Sequence, residues 1–339
     1  MKSQKSELEG YEFKPRCISC GTEGYPRHPA LEDRLYAIKG SWCMLKCTSA
    51  ACDLHWLNPA PLPELLPSFY EQYHTHSAEP VGGIAKRLFV QSVNAFLSAK
   101  YGYQNATTAV GRIGRWVIQL LPTLRDDAAA RVFWLPRQKS GKLLEVGFGN
   151  GVTLARLKDF GWDVAGVEFD TVSVKLARSL GLDAHLGSIE DVAYPSGTFD
   201  AVVASHLIEH LPDPRGFLRE CHKVLKEGGR LVLTTPNASS LGHRLFAANW
   251  RGLEPPRHLH VFGPKVLSQL ASDAGFKDVQ VTTTARSGSI LAQSLRLARK
   301  KPPSGAGRLE IELVALLGWF FGLFAGALSG EELRLECRS

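Results

Sequence analysis

Glycines at positions 147, 149 and 151, on alternate residues at the end of an apolar run, constrain this chain more than any other feature. Leu143-Leu144-Glu145-Val146 reads as a buried parallel strand, and a helical pattern from about Val152 to Phe160 follows at once. A strand that turns so directly into a helix needs left-handed torsions, and glycine also lets a ligand approach the backbone with no Cβ in the way. The first N–H groups of the helix then point at whatever lies over the loop. A second apolar run, Val164-Ala165-Gly166-Val167, ends in Glu168, where an acid can accept both ribose hydroxyls of a nucleoside ligand. A dinucleotide fingerprint needs its third glycine where this chain has Val152, which weakens a pyrophosphate-binding reading.

The same alternation continues. Phe199 to Ser205 reads as another buried strand and runs into His206-Leu207-Ile208-Glu209-His210-Leu211-Pro212-Asp213-Pro214. A helix with apolar Phe217, Leu218, Val224 and Leu225 stops at Gly228-Gly229, and the strand Arg230 to Thr235 ends at Pro236-Asn237. Gly161 and Gly181 stop the two earlier helices. The pattern E-x-G-x-G-x-G with its later acid, followed in order by FDAVVASHLIEHLPDP and VLKEGGRLVLTTPN, resembles the class I S-adenosylmethionine-dependent methyltransferases over about Lys142 to Val281. The resemblance implies an α/β, Rossmann-like core with a seven-stranded sheet whose last strand is antiparallel. Strand Val279 to Thr282 should pair with Glu332 to Glu336. It also implies S-adenosylmethionine across Gly147, Gly149 and Gly151, with its ribose on Glu168, its methionine end near Glu145 and its adenine among Phe169 and Ile189. Ser188 stands where many relatives place an Asp for the adenine amine.

His206-Leu207-Ile208-Glu209-His210 also spells H-x-x-E-H, the mark of inverted zinc proteases. That chemistry needs a long helix, and here a strand precedes the motif and Pro212 and Pro214 cut it short. In the methyltransferase reading the segment faces the donated methyl. His206 or Glu209 is then a base, or Glu209 and His210 hold a divalent ion, or both only orient the loop. Asn249 to Phe262 resembles the acceptor-side loop of the same enzymes, which makes His258 or His260 the acceptor-side base and Arg257 a grip for an anionic acceptor. Its prolines favour extended backbone, so His258 and His260 should alternate sides with one pointing inward.

Five of the seven cysteines lie between Cys17 and Cys52. Cys17-x2-Cys20-Gly21 and Cys47-x4-Cys52 form two knuckles that can close a tetrahedral Zn²⁺ site. The surrounding Asp33-Arg34, Trp42 and Leu57-Asn58-Pro59 resemble the zinc-binding N-terminal module of a methyltransferase group that includes sugar C-methyltransferases. On that resemblance Cys17, Cys20, Cys47 and Cys52 are the ligands. The second pair carries two extra residues, so Cys43 or His55 is the substitute. Loss of Cys17 is expected to unfold this module and leave the core folded.

At 339 residues with 44% hydrophobic and 22% charged residues, the chain has room for a sizeable core. The expected pieces are a zinc-ribbon-like module over 10–60, a helical linker or cofactor lid over 61–138, the core over 139–287, an insertion over 288–330 and the last strand over 331–339. His74 and His76 in the second piece are weak candidates for a segment lying over the cofactor. The insertion holds Arg299-Lys300-Lys301 and the uncharged stretch Leu313 to Ser329. The chain must return to its sheet after that stretch, so a shallow element on a membrane face is expected rather than a span. No apolar segment follows the charged start Met1 to Lys5, which predicts a cytoplasmic chain, peripheral on the inner face of the membrane. The net charge of +7 suits phosphates or an anionic lipid face. Together these features imply methyl transfer to a small molecule, a sugar or a lipid-linked saccharide. The rivals are a ribosomal RNA base methyltransferase with a zinc knuckle and a non-catalytic zinc-ribbon binding module. Nucleic acid is not the expected partner, because the basic residues are scattered.

Overall fold

The computed structural model describes residues 10–70, 83–104, 107–286, 288–302, 307–326 and 328–339. His74 and His76 lie outside them. The first elements are strands β1 (Tyr11–Glu12), β2 (Gly24–Leu31), β3 (Trp42–Cys47), β4 (His55–Asn58) and β5 (Ala60–Pro61). β2, β3 and β4 pair in antiparallel order, while β1 pairs with β5. A 3-10 segment over Pro63–Tyr70 leads towards three helices, α1 (Ile84–Tyr101), α2 (Ala109–Leu120) and α3 (Pro122–Ala130).

The core then alternates: β6 (Lys142–Val146), α4 (Val152–Asp159), β7 (Asp163–Glu168), α5 (Thr171–Ser179), β8 (Asp183–Leu186), α6 (Ile189–Val192), β9 (Phe199–Ser205), α7 (Pro214–Val224) and β10 (Leu225–Pro236). After β10 come α8 (Leu241–Phe246), β11 (His260–Val261), α9 (Pro264–Asp273), β12 (Lys277–Thr284), α10 (Gly288–Ala298), α11 (Arg308–Ala325) and β13 (Glu332–Arg338). The seven-stranded sheet runs β12-β13-β10-β9-β6-β7-β8, with β13 antiparallel to both neighbours. Val281 faces Leu335 and Thr282 faces Arg334, the pairing expected from the sequence. The chain winds outward from β6 in one direction through β7 and β8 and in the other through β9 and β10. The gap between β6 and β9 is therefore the topological switch point, where ligands bind beyond the carboxyl ends of the strands. The central strands β6, β9 and β10 are rich in apolar residues because both sheet faces are covered there: Leu144, Val202 and Leu231 pack under α7 and α9, while Leu143, Val203 and Val232 pack towards α4 and α5.

The N-terminal module is fused to this core rather than appended to it. β11, which belongs to the Asn249–Phe262 loop, adds to the module's sheet beside β4, with His260 opposite Trp56 and Val261 opposite His55. Arg257 is fully buried beside it. Its guanidinium donates to both Asp33 oxygens at 3.1 and 3.2 Å and to Glu254 at 2.9 Å. Asp33 also accepts the backbone N–H groups of Leu35, Tyr36 and Ile38, so this one carboxylate ties a module loop to a core loop. Arg257 thus holds the two parts together, where the sequence suggested a grip for an anionic acceptor. Core clusters cross the junction as well: Cys17, Cys52 and Trp56 pack with Leu144 and Phe262, and Met44 and Leu57 pack with Trp250 and Leu253.

The long connection between β12 and β13 folds as α10 and α11, which pack on each other. Leu313, Leu316, Leu317 and Phe320 of α11 are exposed, while Ala315 is buried. Among the described residues no helix is long and apolar enough to cross a membrane.

Candidate functional site

The glycine loop has the geometry its sequence requires. Gly147, Gly149 and Gly151 have φ of 72°, 55° and 70°, torsions that side chains with a Cβ rarely adopt. Glu168, at the end of the neighbouring β7, closes the loop: one carboxylate oxygen accepts the Gly149 N–H at 2.7 Å, and the other accepts Phe169 and Asp170 N–H at 2.8 and 3.2 Å. The acid is therefore fixed at the rim of the loop, half-buried, with a lone pair left for a ligand on the oxygen that accepts Gly149. Phe169 beside it is exposed, and Ile189 is buried in the core beneath. Ser188 caps α6 in a reciprocal pair with Asp191, accepting the Asp191 N–H at 3.1 Å and donating its hydroxyl to the Asp191 carboxylate at 2.8 Å.

Beneath the switch point lies a cavity of about 380 Å³ lined by Glu145, Ser205 and Thr234 at three strand ends, Arg156 of α4, Asp127 of α3 and Arg131 just after α3. Glu145 is 4% exposed and one of its carboxylate oxygens has no partner. Burial pushes its pKa up to about 8, against the pull of Arg156. A buried acid with one unpartnered oxygen in a cavity offers a hydrogen-bond site for a ligand's cationic group, alongside the attraction of Arg156.

On the other side of the loop Leu207 touches Gly147, where a Cβ would sit 3.0 Å from its side chain, so the His206–His210 turn lies directly against the glycines. His206 has φ of 51° and its ring is clamped between two acids, Nδ1 at 3.2 Å from Glu209 and Nε2 at 2.8 Å from Glu332. Burial opposes its charge, but the hydrogen bonds to Glu209 and Glu332 prevail and hold its pKa up to about 10. At neutral pH it is an imidazolium with no lone pair to offer as a base. Glu209 is fully buried, and its other oxygen accepts the Thr235 hydroxyl at 2.9 Å.

His258 and His260 are both buried, at 4% and 5% exposure, where alternation predicted one inward ring. The reason is β11: its neighbourhood is covered by the module on one side and the core on the other. Burial lowers both pKa values to about 4, so both rings are neutral. Nδ1 of His258 donates to the Gly252 carbonyl at 2.8 Å, which puts the lone pair of the neutral ring on Nε2, 3.5 Å from the Glu254 carboxylate. Ligand atoms of Glu209, His210 and His258 lie within 4.8 Å of one another. The Tyr70 hydroxyl contacts His210 Nδ1 at 2.9 Å, which brings the 3-10 segment to the same place. His260 sits with its ring near Phe262 and its Nδ1 unpartnered.

The sulfurs of Cys17, Cys20, Cys47 and Cys52 lie within 4.8 Å of one another, Cys17 to Cys52 at 3.7 Å and Cys20 to Cys47 at 3.4 Å. Gly21, with φ of 71°, makes the first knuckle, and a Cys52 N–H to Ser49 carbonyl bond folds the longer second spacer into a turn. Neither Cys43 nor His55 joins this group. Four convergent thiols on two knuckle turns fit a tetrahedral Zn²⁺.

Several residues of the site carried no sequence signal. Glu332 reaches His206 across 126 positions, and Asp33 reaches Arg257 across 224.

A family model described as "Methyltransferase domain" matches residues 114–281. The ubiquinone biosynthesis O-methyltransferase of Xanthomonas campestris pv. campestris (strain B100) is 37% identical over 125 residues, covering 35% of this chain and 51% of that protein. The protein of the same name from Thiobacillus denitrificans is 28% identical over 155 residues, covering 42% of this chain and 66% of its own length. The chain thus spans about half the length of the first of these relatives. A solved S-adenosylmethionine-dependent methyltransferase from Archaeoglobus fulgidus is 17% identical, covering 67% of this chain and 99% of that one with a TM-score of 0.45.

Proposed function

We propose that this chain, whose core is a class I S-adenosylmethionine-dependent methyltransferase domain, catalyses methyl transfer to a hydroxyl of a small molecule. The observation that carries the reading is the closed glycine loop with Glu168 at its rim and the unpaired Glu145 in the cavity beside it. S-adenosylmethionine, when bound, supplies an electrophilic methyl on a sulfonium. Glu168 accepts the ribose hydroxyls, Glu145 pairs with the ammonium, and the exposed Phe169 covers the adenine. Alignment does most of the catalytic work. His258 is the favoured base: it is neutral and carries its lone pair on Nε2, beside the Glu254 carboxylate, whereas His206 is charged and positions Glu209. His260 sets the register of β11 against β4.

The relatives named as O-methyltransferases support an oxygen acceptor. A sugar or lipid-linked saccharide, met by a cytoplasmic chain at the inner membrane face, is the finer reading, with α11 and Arg299-Lys300-Lys301 as contact candidates. Nucleic acid is not the acceptor in this reading, since the basic residues are scattered. Zn²⁺ on Cys17, Cys20, Cys47 and Cys52 is structural. A second reading rests on Glu209, His210 and His258, whose clustering suits a divalent ion that lowers the acceptor pKa. Restoration by Mg²⁺ or Mn²⁺ of activity lost to a chelator, at unchanged zinc content, would favour it.

Calorimetry tests the first step. Wild type should bind S-adenosylmethionine, and Glu168→Ala should bind about fiftyfold more weakly, as expected for loss of roughly 2–3 kcal/mol of charged hydrogen bonds. A wild type that binds none refutes the reading. Glu145 adds a pH dependence. Its carboxyl is protonated in the free chain below about pH 8 and must ionise to hold an ammonium, so binding releases a proton. Affinity should therefore rise between roughly pH 6 and 8, by at most about tenfold per unit. Glu145→Gln should bind more weakly and lose the slope. Titrations in buffers of different ionisation enthalpy read the proton directly.

A further inference from the structure

Helices α1 and α2 form a hairpin with one outward side that is both apolar and basic. Gly111 and Gly114 bring α2 tight against α1: a Cβ at Gly111 would sit 2.7 Å from the Gln91 carbonyl oxygen, and one at Gly114 would sit 2.0 Å from Ser92 Oγ. Ile118 is buried on the same side. That packing turns the opposite arc outward, and Val110, Ile113, Trp116, Val117 and Leu120 on it are 52–76% exposed. Arg112 borders this stripe, and the Arg115 guanidinium lies 4.9 Å from the centre of the Trp116 ring. The two helices carry Lys86, Arg87, Lys100, Arg112 and Arg115 and no acidic residue.

We propose that α2 is an interfacial helix that lies on an anionic lipid surface. This deepens the membrane part of the reading above and moves its main contact from α11 to α2. An apolar arc with Trp and Leu beside Arg side chains is the pattern of a helix lying in the headgroup plane. Charge decides between occupants. A second copy would bring the same arginines face to face, whereas anionic headgroups are complementary to them. The helix is also far too short to span a bilayer. Its position has a use, because α2 packs on α3, and Asp127 of α3 lines the cavity beneath the switch point.

Co-sedimentation of the full chain with vesicles of phosphatidylcholine, alone or mixed with phosphatidylglycerol, tests the proposal. Wild type should bind the anionic vesicles, and salt should weaken that binding by screening. Ile113→Glu with Leu120→Glu should lose about tenfold or more of the affinity, and Arg112→Ala with Arg115→Ala about tenfold on anionic vesicles alone. Leu316→Glu with Phe320→Glu on α11 should lose less than either. All variants change exposed positions, or in Arg115 a half-exposed one, and should keep the wild-type melting curve and S-adenosylmethionine affinity, which separates this result from failure of the methyl-transfer reading. Wild type left in the supernatant overturns the proposal, as does an α11 pair that loses more than the α2 pair. A dimer in sedimentation velocity that Ile113→Glu dissolves, without vesicle binding, would assign the face to a second copy and overturn it too.

Discussion

Cys17→Ser should destabilise the entire chain rather than its first sixty residues. With Zn²⁺ on the four sulfurs, metal binding is worth about 10–16 kcal/mol in isolated zinc-finger peptides at neutral pH, comparable with or above the 5–15 kcal/mol that holds a typical domain. In a chain with a detached module that energy would be lost locally, and the sequence alone suggested this. Here Cys17, Cys47 and Cys52 pack in the same apolar cluster as Leu144, Val202 and Phe262, and β11 is hydrogen-bonded to β4. Release of the metal therefore removes a wall of the core and the partner of the loop that carries His258. The expected result is one cooperative urea transition at a much lower midpoint, with amides of β9 and β10 losing hydrogen-exchange protection along with those of β3. Elemental analysis should show metal in the wild type and none in the variant. A core that keeps its wild-type midpoint after metal loss would show that the junction transmits nothing.

The second large effect is expected at Asp33. Asp33→Ala leaves the fully buried Arg257 with Glu254 alone and strips three backbone N–H groups of their acceptor. Breaking one partner out of a buried ion pair costs about 3–5 kcal/mol, because the remaining charge stays desolvated. Removing both charges is milder, so Asp33→Asn with Arg257→Met should recover part of the loss. Denaturant midpoints of the wild type, the two single variants and the double variant measure this, and the coupling should exceed about 1 kcal/mol. Additive losses would mean that the pair does not hold the junction. Glu254, whose pKa is held well below the carboxylate range by Arg251 and Arg257 despite its burial, is ionised in the wild type.

What was legible in the sequence was local. The turn through Gly147, Gly149 and Gly151, the acid closing β7 and the alternation that builds a parallel sheet are each written within a few residues of one another, so propensity and periodicity reveal them. The pairing of β12 with β13 follows from the family resemblance, which implies a last antiparallel strand, rather than from local pattern. The junction could not be read. His260 looks like a polar residue in an extended loop until β4 is placed beside it, and nothing near Arg257 says that its acid is Asp33. His206 shows the same limit in chemistry: it and Glu209 stand in the sequence as alternative bases, but the two carboxylates that fix its charge, Glu209 and Glu332 of β13, are brought together only by the fold. Side-chain roles set by contacts across the whole chain are invisible to any window of sequence.

The sharing of β11 also imposes an order of events on synthesis. When β4 leaves the ribosome the strand that will cover its edge is still about two hundred residues away, roughly 10–40 s at 5–20 residues per second. During that interval β4 offers unpaired backbone groups flanked by the apolar Trp56 and Leu57, a template for pairing with any other nascent chain. A fragment that stops short of His260 would keep that edge open permanently. Expression of the first part of the chain alone should therefore yield aggregate, and a soluble N-terminal fragment is best sought by supplying residues 254–263 as a separate peptide.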